Sequence, residues 1–467
     1  MRNQEIFVSL DIGTSSIKVV VAEQVNGKIN ILGVGHEKSR GLSRGVIVDI
    51  DETVHSIQQA VAQAEQKANV KINEVIVGVP SNKLTIDSCH GMIAVSSDTR
   101  EIQERDVENV IAAAKVRSVP PEREIISVIP EEFIVDGFEG IRDPRGMIGV
   151  RLELYAHLLT GPKTIIHNIR RCVEKAGLRI SELVLQPQAL ASVVLTHDER
   201  EFGTVIIDMG GGQTSASIIY DNQLKYSFVD QEGGDFVTKD ISVILKTGLE
   251  SAEYIKKEYG YAISKQMSDE EYFPVEVAGK KEPEQVDERY LSEIIEARLT
   301  QIFDTIHEAL ESVDALDLPG GIVITGGASQ LSGIEELAKQ YFGPKVRLYI
   351  PDQMGMRQPI FATSIGLIEY AAKLDDIHRI AQGSYRAPVV TESRPARPKA
   401  VAAEQPPIQR KERVKTTKTE DYEDYRATAT SQAQYDDHYE VEYYEDEVGD
   451  DRTFTGKVRS FFNSFFN

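Results

Sequence analysis

The sequence predicts an α/β protein with a duplicated two-lobe core, followed by a disordered linker and a C-terminal amphipathic helix. Three observations predict it. Period-2 apolar runs alternate with helical patterns, one Asp-and-Gly turn occurs twice in the same strand context, and the composition changes abruptly near Gly383. A chain of 467 residues corresponds to about three domains. With 41% hydrophobic and 27% charged residues it can bury proper cores, which excludes disorder as its overall description. Its 52 basic against 74 acidic residues, net −22, exclude nucleic acid as a partner and confine any contact with anionic lipid to a local segment. Only Cys89 and Cys172 are present, without C-x-x-C or Cys/His spacing, so neither a disulfide framework nor a zinc site is expected. The apolar stretch after Glu5 is too short for a signal peptide or a membrane span, and a cytoplasmic chain is expected.

In chain order, residues 6–10 and 17–22 read as strands joined by a polar turn, and 29–34 as a third strand. Residues 54–68 read as a helix, with apolar Val54, Ile57, Val61, Ala64 and Ala68 on one face. A buried strand follows at 75–79. Residues 204–208 and 215–219 repeat the opening hairpin, and 321–325 is another short buried strand leading towards a helix from Ile334. Beyond Gly383 the chain carries nine Lys or Arg through 419 and then thirteen acids through 452. Such charge blocks, rich in Pro at first and poor in aliphatics, cannot offset the entropy of ordering, so 383–452 is expected to be a disordered linker.

The two turns are Asp11-Ile12-Gly13-Thr14-Ser15-Ser16-Ile17-Lys18 and Asp208-Met209-Gly210-Gly211-Gly212-Gln213-Thr214-Ser215. Each presents several backbone N–H groups in one concavity, which suits phosphate. Asp11 and Asp208 would hold Mg²⁺ through water, and Lys18 adds a point charge for the phosphates. One such turn alone is an ordinary Gly-rich hairpin; two copies in the same context favour a phosphate site. Gly326 and Gly327 follow a strand and either let a flat nucleoside lie on bare backbone or make a plain strand-to-helix turn. Gly233 and Gly234 complete the Gly-rich set. Glu253 and Lys256 share a helix face and either reach a ribose or pair with each other.

These residues resemble the actin, heat-shock chaperone and sugar kinase superfamily. Asp11 to Thr14, Gln186 to Ser192, Asp208 to Gly212, Thr325 to Ala328 and Phe361 to Leu367 stand in the order of that family's phosphate-1, connect-1, phosphate-2, adenosine and connect-2 motifs. The resemblance implies ATP with Mg²⁺ as cofactor. It implies two connecting helices at a hinge, where the small residues Ala189, Ala191, Ser192, Ala362, Ser364 and Gly366 recur. About ten residues separate Gly33 from Gly45, too few for the subdomain that actin carries there, whereas a long stretch follows residues 75–80. That displaced insertion resembles the cell-division protein FtsA family.

The FtsA resemblance implies a division of the chain. Residues 1–83, with 164–197 and 356–375, would form the core of lobe 1, and 84–163 the displaced subdomain. Residues 198–235, with 303–355, would form the core of lobe 2, and 236–302 its small subdomain. It also implies an ATP-binding, polymerising protein that tethers the FtsZ ring to the cytoplasmic membrane at the division septum and helps recruit other division proteins. Its ATPase activity would be slow at most. Gln186 stands where relatives carry a water-positioning side chain, or is simply a connecting-helix residue. The FtsZ C-terminal peptide would dock on 236–302, with Arg289 and Arg298 as candidate contacts, although each taken alone reads rather as an ordinary surface salt-bridge residue. Two other readings are a pilus-assembly-type binding module and a small-molecule kinase of the same superfamily. No motif nominates a catalytic base for the kinase.

Residues 453–467 read as an amphipathic helix. On a helical wheel Phe454, Val458, Phe461, Phe462, Phe465 and Phe466 fall within one arc of roughly 140°, with Lys457 and Arg459 outside it or at its edge. An aromatic face with basic flanks suits a helix lying in the membrane surface. Docking on a partner is the alternative.

Overall fold

The computed structural model of the chain describes residues 5–116 and 119–383. The expected linker 383–452, apart from Gly383, and the expected membrane helix 453–467 lie outside the described residues.

The chain opens with β1 (Glu5–Ile12), β2 (Ser16–Val25) and β3 (Lys28–Lys38), then a two-residue hairpin of β4 (Leu42–Ser43) and β5 (Val46–Ile47). Helix α1 (Ile50–Ala68) starts four residues before its apolar face does, because the Asp49 carboxylate accepts the Glu52 N–H and caps it. Strand β6 (Glu74–Val79) ends this segment. An inserted unit follows: β7 (Thr85–Ala94), α2 (Glu104–Lys115), β8 (Arg123–Val135), β9 (Phe138–Ile141) and β10 (Arg151–Pro162). The chain then returns through α3 (Lys163–Lys175), β11 (Arg179–Leu185), α4 (Gln186–Val194) and α5 (His197–Phe202).

The second half begins with β12 (Thr204–Met209), β13 (Thr214–Tyr220) and β14 (Gln223–Asp230). Next come α6 (Gly234–Ile244), α7 (Leu249–Tyr259), β15 (Tyr272–Val275), β16 (Glu284–Asp287) and the long α8 (Glu288–Glu311). Strand β17 (Ile322–Thr325), α9 (Ile334–Phe342), β18 (Val346–Leu348), α10 (Ala362–Lys373) and α11 (Asp376–Gln382) complete it.

The duplication read in the turns extends to whole sheets. One sheet runs β3-β2-β1-β6-β11 and the other β14-β13-β12-β17-β18. In each, two antiparallel hairpin pairings are followed by two parallel ones. The middle strands are near-continuous apolar runs because helices cover both faces: residues Ile17 to Ala22 of β2 are all buried. Each lobe packs its own core, around Leu10, Val19, Val77 and Ile166 in the first and Val205, Ile241, Ile295 and Phe303 in the second. The inserted unit is a separate four-stranded sheet, β7-β10-β8-β9, with α2 against it. Ile377, Ile380 and Ala381 of α11 join that core, a contribution that residues 376–382 do not announce in the sequence. Helices α4 and α10 cross where Gly366 lies against Ala189, the small residues singled out for a close crossing.

Candidate functional site

The cleft between the lobes is built by the two repeated turns. In the first, antiparallel pairing sets Asp11 opposite Lys18. Lys18 Nζ lies 3.0 Å from Asp11 Oδ2, both side chains are buried, and Gln186 Nε2 donates to Asp11 Oδ1 at 3.2 Å. Gln186 reaches it because it opens α4 directly after β11. The Gly13 N–H closes the turn on Ser16 O at 3.2 Å. In the second turn Asp208 stands opposite Ser215, and the Gly210 N–H closes on Gln213 O at 2.9 Å. The Gly210 and Gly211 carbonyls accept the N–H groups of Gly234 (3.0 Å) and Asp235 (2.8 Å), which fixes the first turn of α6 beneath the loop. Gly233 is buried under those carbonyls and does not line the cleft; Gly234 does.

The turns meet across the cleft. Ser15 Oγ donates to the Asp235 carboxylate at 3.0 and 3.1 Å, and Thr14 lies against Gly212. The Asp208 carboxylate, unlike its backbone, has no hydrogen-bond partner among the described residues. Burial pushes its carboxyl up to about 6, the Asp11 charge adds to this, and Lys18 opposes it. Beside Asp208, β17 delivers Thr325 in parallel register and then Gly326 at φ +96°, where a Cβ would overlap the Asp208 carboxylate. No other residue type fits there.

On the far side, α7 supplies Glu253 and Lys256. Lys256 Nζ lies 2.6 Å from Glu253, 2.9 Å from Gly234 O and 2.7 Å from Thr238 Oγ1, so the two side chains do pair with each other. Glu253 also takes Lys257 at 2.9 Å and a hydrogen bond from Thr238. Burial pushes the Glu253 carboxyl up, but these cations and donors outweigh it and hold it below the usual range. The enclosed volume is about 820 Å³. Asp11, Gly13, Thr14, Ser15, Lys18, Gln186, Asp208, Gly210, Gly211, Gly212, Glu253, Lys256, Gly326 and Gly327 all face it. The sequence reading missed His36, Gln213 and Asp235, which line it too. His36 stands opposite Lys18 on β3, a register that strand pairing alone would have supplied; burial and then Lys18 push its imidazole pKa down.

The donor set fits a nucleotide with a divalent cation. Lys18 is paired with Asp11, and the Asp208 carboxylate, which feels both charges, lines the same cleft without an ion-pair partner of its own among the described residues, which leaves a net negative charge there. Among the described residues no cluster of three metal-ligating side chains exists, and two carboxylates plus phosphate are what Mg²⁺ typically uses.

The candidate partner residues lie away from this cleft. Arg289 donates to Asp269 at 2.8 Å and to Met267 O at 3.2 Å. Arg298 is held by Asp240 (2.6 Å) and Glu232 (2.7 Å), and those bonds raise its guanidinium pKa further. Among the described residues no helix is long and apolar enough to cross a membrane.

Two repeated five-stranded sheets, joined through crossing helices around a glycine-lined cleft, define an actin-like fold. The solved PilM-PilN type IV pilus biogenesis complex shares this fold at TM-score 0.55 and 14% identity, over 79% of this chain and 99% of that one. Family models described as "Cell division protein FtsA" and "SHS2 domain inserted in FTSA" match residues 205–366 and 81–160. The chain is 51% identical to the cell division protein FtsA of Enterococcus faecalis over 467 residues, covering 100% of both. It is 55% identical to that of Enterococcus hirae over 382 residues, covering 82% of this chain and 86% of that relative. The chain belongs to the cell-division protein FtsA family.

Proposed function

We propose that the chain binds ATP with Mg²⁺ in this cleft, polymerises, and tethers FtsZ to the cytoplasmic membrane at the septum. The observation that carries the nucleotide reading is that Asp11 with its bonded Lys18 and the unpartnered carboxylate of Asp208, one from each lobe, line one glycine-walled cleft. Asp11 and Asp208 would hold Mg²⁺, which would supply the missing positive charge beside the phosphates. The chain's own residues do the rest. Gly13 to Ser15 and Gly210 to Gly212 offer backbone and hydroxyl donors to phosphate oxygens, and Gly326 and Gly327 leave bare backbone for the nucleoside. Glu253 and Lys256 hold the opposite wall. Gln186 is a neutral amide on Asp11 with no acid or base strength, which supports slow hydrolysis at most.

Two further parts of this reading rest on other residues. Val243 and Ile244 are exposed on α6 and Leu249 and Tyr254 on α7, which supports an apolar docking face for the FtsZ peptide within 236–302, the segment that also carries Arg289. Arg298 is committed to its own acids there. Phe454, Lys457, Val458, Arg459, Phe461, Phe462, Phe465 and Phe466 would attach the tail to lipid. One such helix binds weakly, but a filament presents many at high effective concentration, and a filament also offers other division proteins a repeated surface.

Titration of ATP with and without Mg²⁺ into the full chain and the Asp208→Ala variant tests the site. The variant is expected to lose Mg²⁺-dependent binding while melting as a folded protein; equal affinity would remove the proposed site. Liposome flotation with and without residues 453–467 tests the anchor in the same preparation.

A further inference from the structure

The hairpin of β4 and β5 breaks a local rule. Leu42 pairs with Ile47 and Ser43 with Val46, leaving Arg44 and Gly45 as its two central residues. Both have positive φ, +48° and +75°, as a I′ turn requires. Asn, Asp and Gly suit the first of these positions, and an Arg pays a steric cost there. A residue kept in an unfavourable backbone region points to work done by its side chain.

The Arg44 guanidinium carbon lies 5.3 Å from the centre of the Phe236 ring, which belongs to α6 in the other lobe. The same ring is 5.8 Å from the guanidinium carbon of Arg298, itself fixed by Asp240 and Glu232. The ring therefore presents a stiff π surface, and Arg44 is the exposed cation over it that no acid among the described residues holds. The neighbouring Gly45 N–H donates to Thr14 Oγ1 at 2.9 Å, in the first phosphate turn. A Cβ on Gly45 would overlap the side chain of Gln213, in the second, which Asn82 holds at 2.9 Å. One two-residue turn thus touches both phosphate turns and the helix that follows the second.

We infer that the Arg44-Gly45 turn is a latch across the cleft, in which Arg44 on Phe236 keeps the lobes closed over the phosphate end of a bound nucleotide. Arg44 is a positioning residue: it sets how long the nucleotide stays by holding Thr14 and Gln213 together. This rests on the cleft being the nucleotide site proposed above.

The test uses the full chain with Mg²⁺ and a fluorescent N-methylanthraniloyl ATP, and stopped-flow release into excess ATP. Arg44→Asn suits the turn better and removes the cation, so its melting temperature is expected to hold or rise while release quickens about two- to tenfold. Phe236→Leu is expected to quicken release similarly, and the double variant no more than either single one, because both remove one contact. Arg44→Lys, which keeps the charge, should recover part of the slow release. Unchanged release in Arg44→Asn, or effects that multiply in the double variant, would overturn the latch. A second readout needs no nucleotide: Phe236→Leu is expected to speed hydrogen exchange at the Gly45 amide, and an unchanged rate also overturns the proposal. If the parent chain fails to bind the probe, the nucleotide reading falls by itself and the exchange measurement still decides the latch.

Discussion

The turn after β1 and the turn after β12 share one antiparallel register, yet Asp11 faces Lys18 in the first and Asp208 faces Ser215 in the second. The first copy carries its own counter-ion, buried and bonded at 3.0 Å. The second leaves its carboxylate without a partner among the described residues, with burial raising its pKa to about 6. The strands beside them differ as well: β6 runs on into Pro80, β17 into Gly326 and Gly327. Duplication has kept the backbone nest and divided the charge, so that one lobe is balanced alone and the other only when a cation arrives. That asymmetry is what the nucleotide and cation proposed for this cleft would relieve.

Removing the balanced lobe's cation should have the largest effect. Lys18→Met leaves Asp11 buried with only the Gln186 amide, and breaking a buried pair from one side costs about 3–5 kcal/mol. Ser215→Ala, the register equivalent, should stay within about 0.5 kcal/mol. Urea unfolding of both variants measures the contrast; similar losses would mean the copies are not divided in this way.

How far the sequence foretold this site follows from the range of the signals. The hairpins and both turns were legible because alternation and the Asp-x-Gly spacing common to both turns are local, and the first strand extends its expected span by only a few residues, as residues 6–10 grow into Glu5–Ile12. Helix α1 was read from its apolar face at 54–68, though Asp49 and Glu52 mark its true start. Contacts that depend on how the lobes meet were not legible. Ser15 with Asp235 spans 220 positions and Asn82 with Gln213 spans 131. Arg298 is open in the sequence between a partner contact and a salt-bridge residue, and its bonds to Asp240 and Glu232, 58 and 66 positions away, which decide for the latter, leave no local signal there. Helix α11 lies past the last motif, and only the inserted unit's core explains its apolar face.

The strands beside the two carboxylates sharpen the comparison next. Gly326→Ala would put a side chain at φ +96°, overlapping the Asp208 carboxylate and 2.5 Å from Met209 O, at a cost of about 2–3 kcal/mol. Gly78→Ala, on the strand beside Asp11, meets only side-chain atoms of Gln186 and Leu367 at 3.3 Å or more, and should cost under about 1 kcal/mol. Thermal melts of the two variants check this order, and a reversed order would show that the second turn is not the tighter one.

The smallest effect is the most diagnostic, because it depends on pH. Asp208 has its folded pKa raised to about 6 from the ordinary 3.8, so between these values the folded chain holds a proton that the unfolded chain has lost. Stability from this group is therefore undiminished below pH 4 and falls as pH rises to about 6, where the full cost of the buried charge is reached. Asp208→Asn removes that cost and should be more stable than the parent by about 1–2 kcal/mol at pH 7, with the difference closing as pH approaches 4. Addition of Mg²⁺ and ATP at pH 7 should stabilise the parent and not the variant, reversing their order. Denaturation of both proteins across pH 4–7, with and without Mg²⁺ and ATP, reads all three expectations. A difference that does not vary with pH would mean that Asp208 is not the uncompensated charge of the pair.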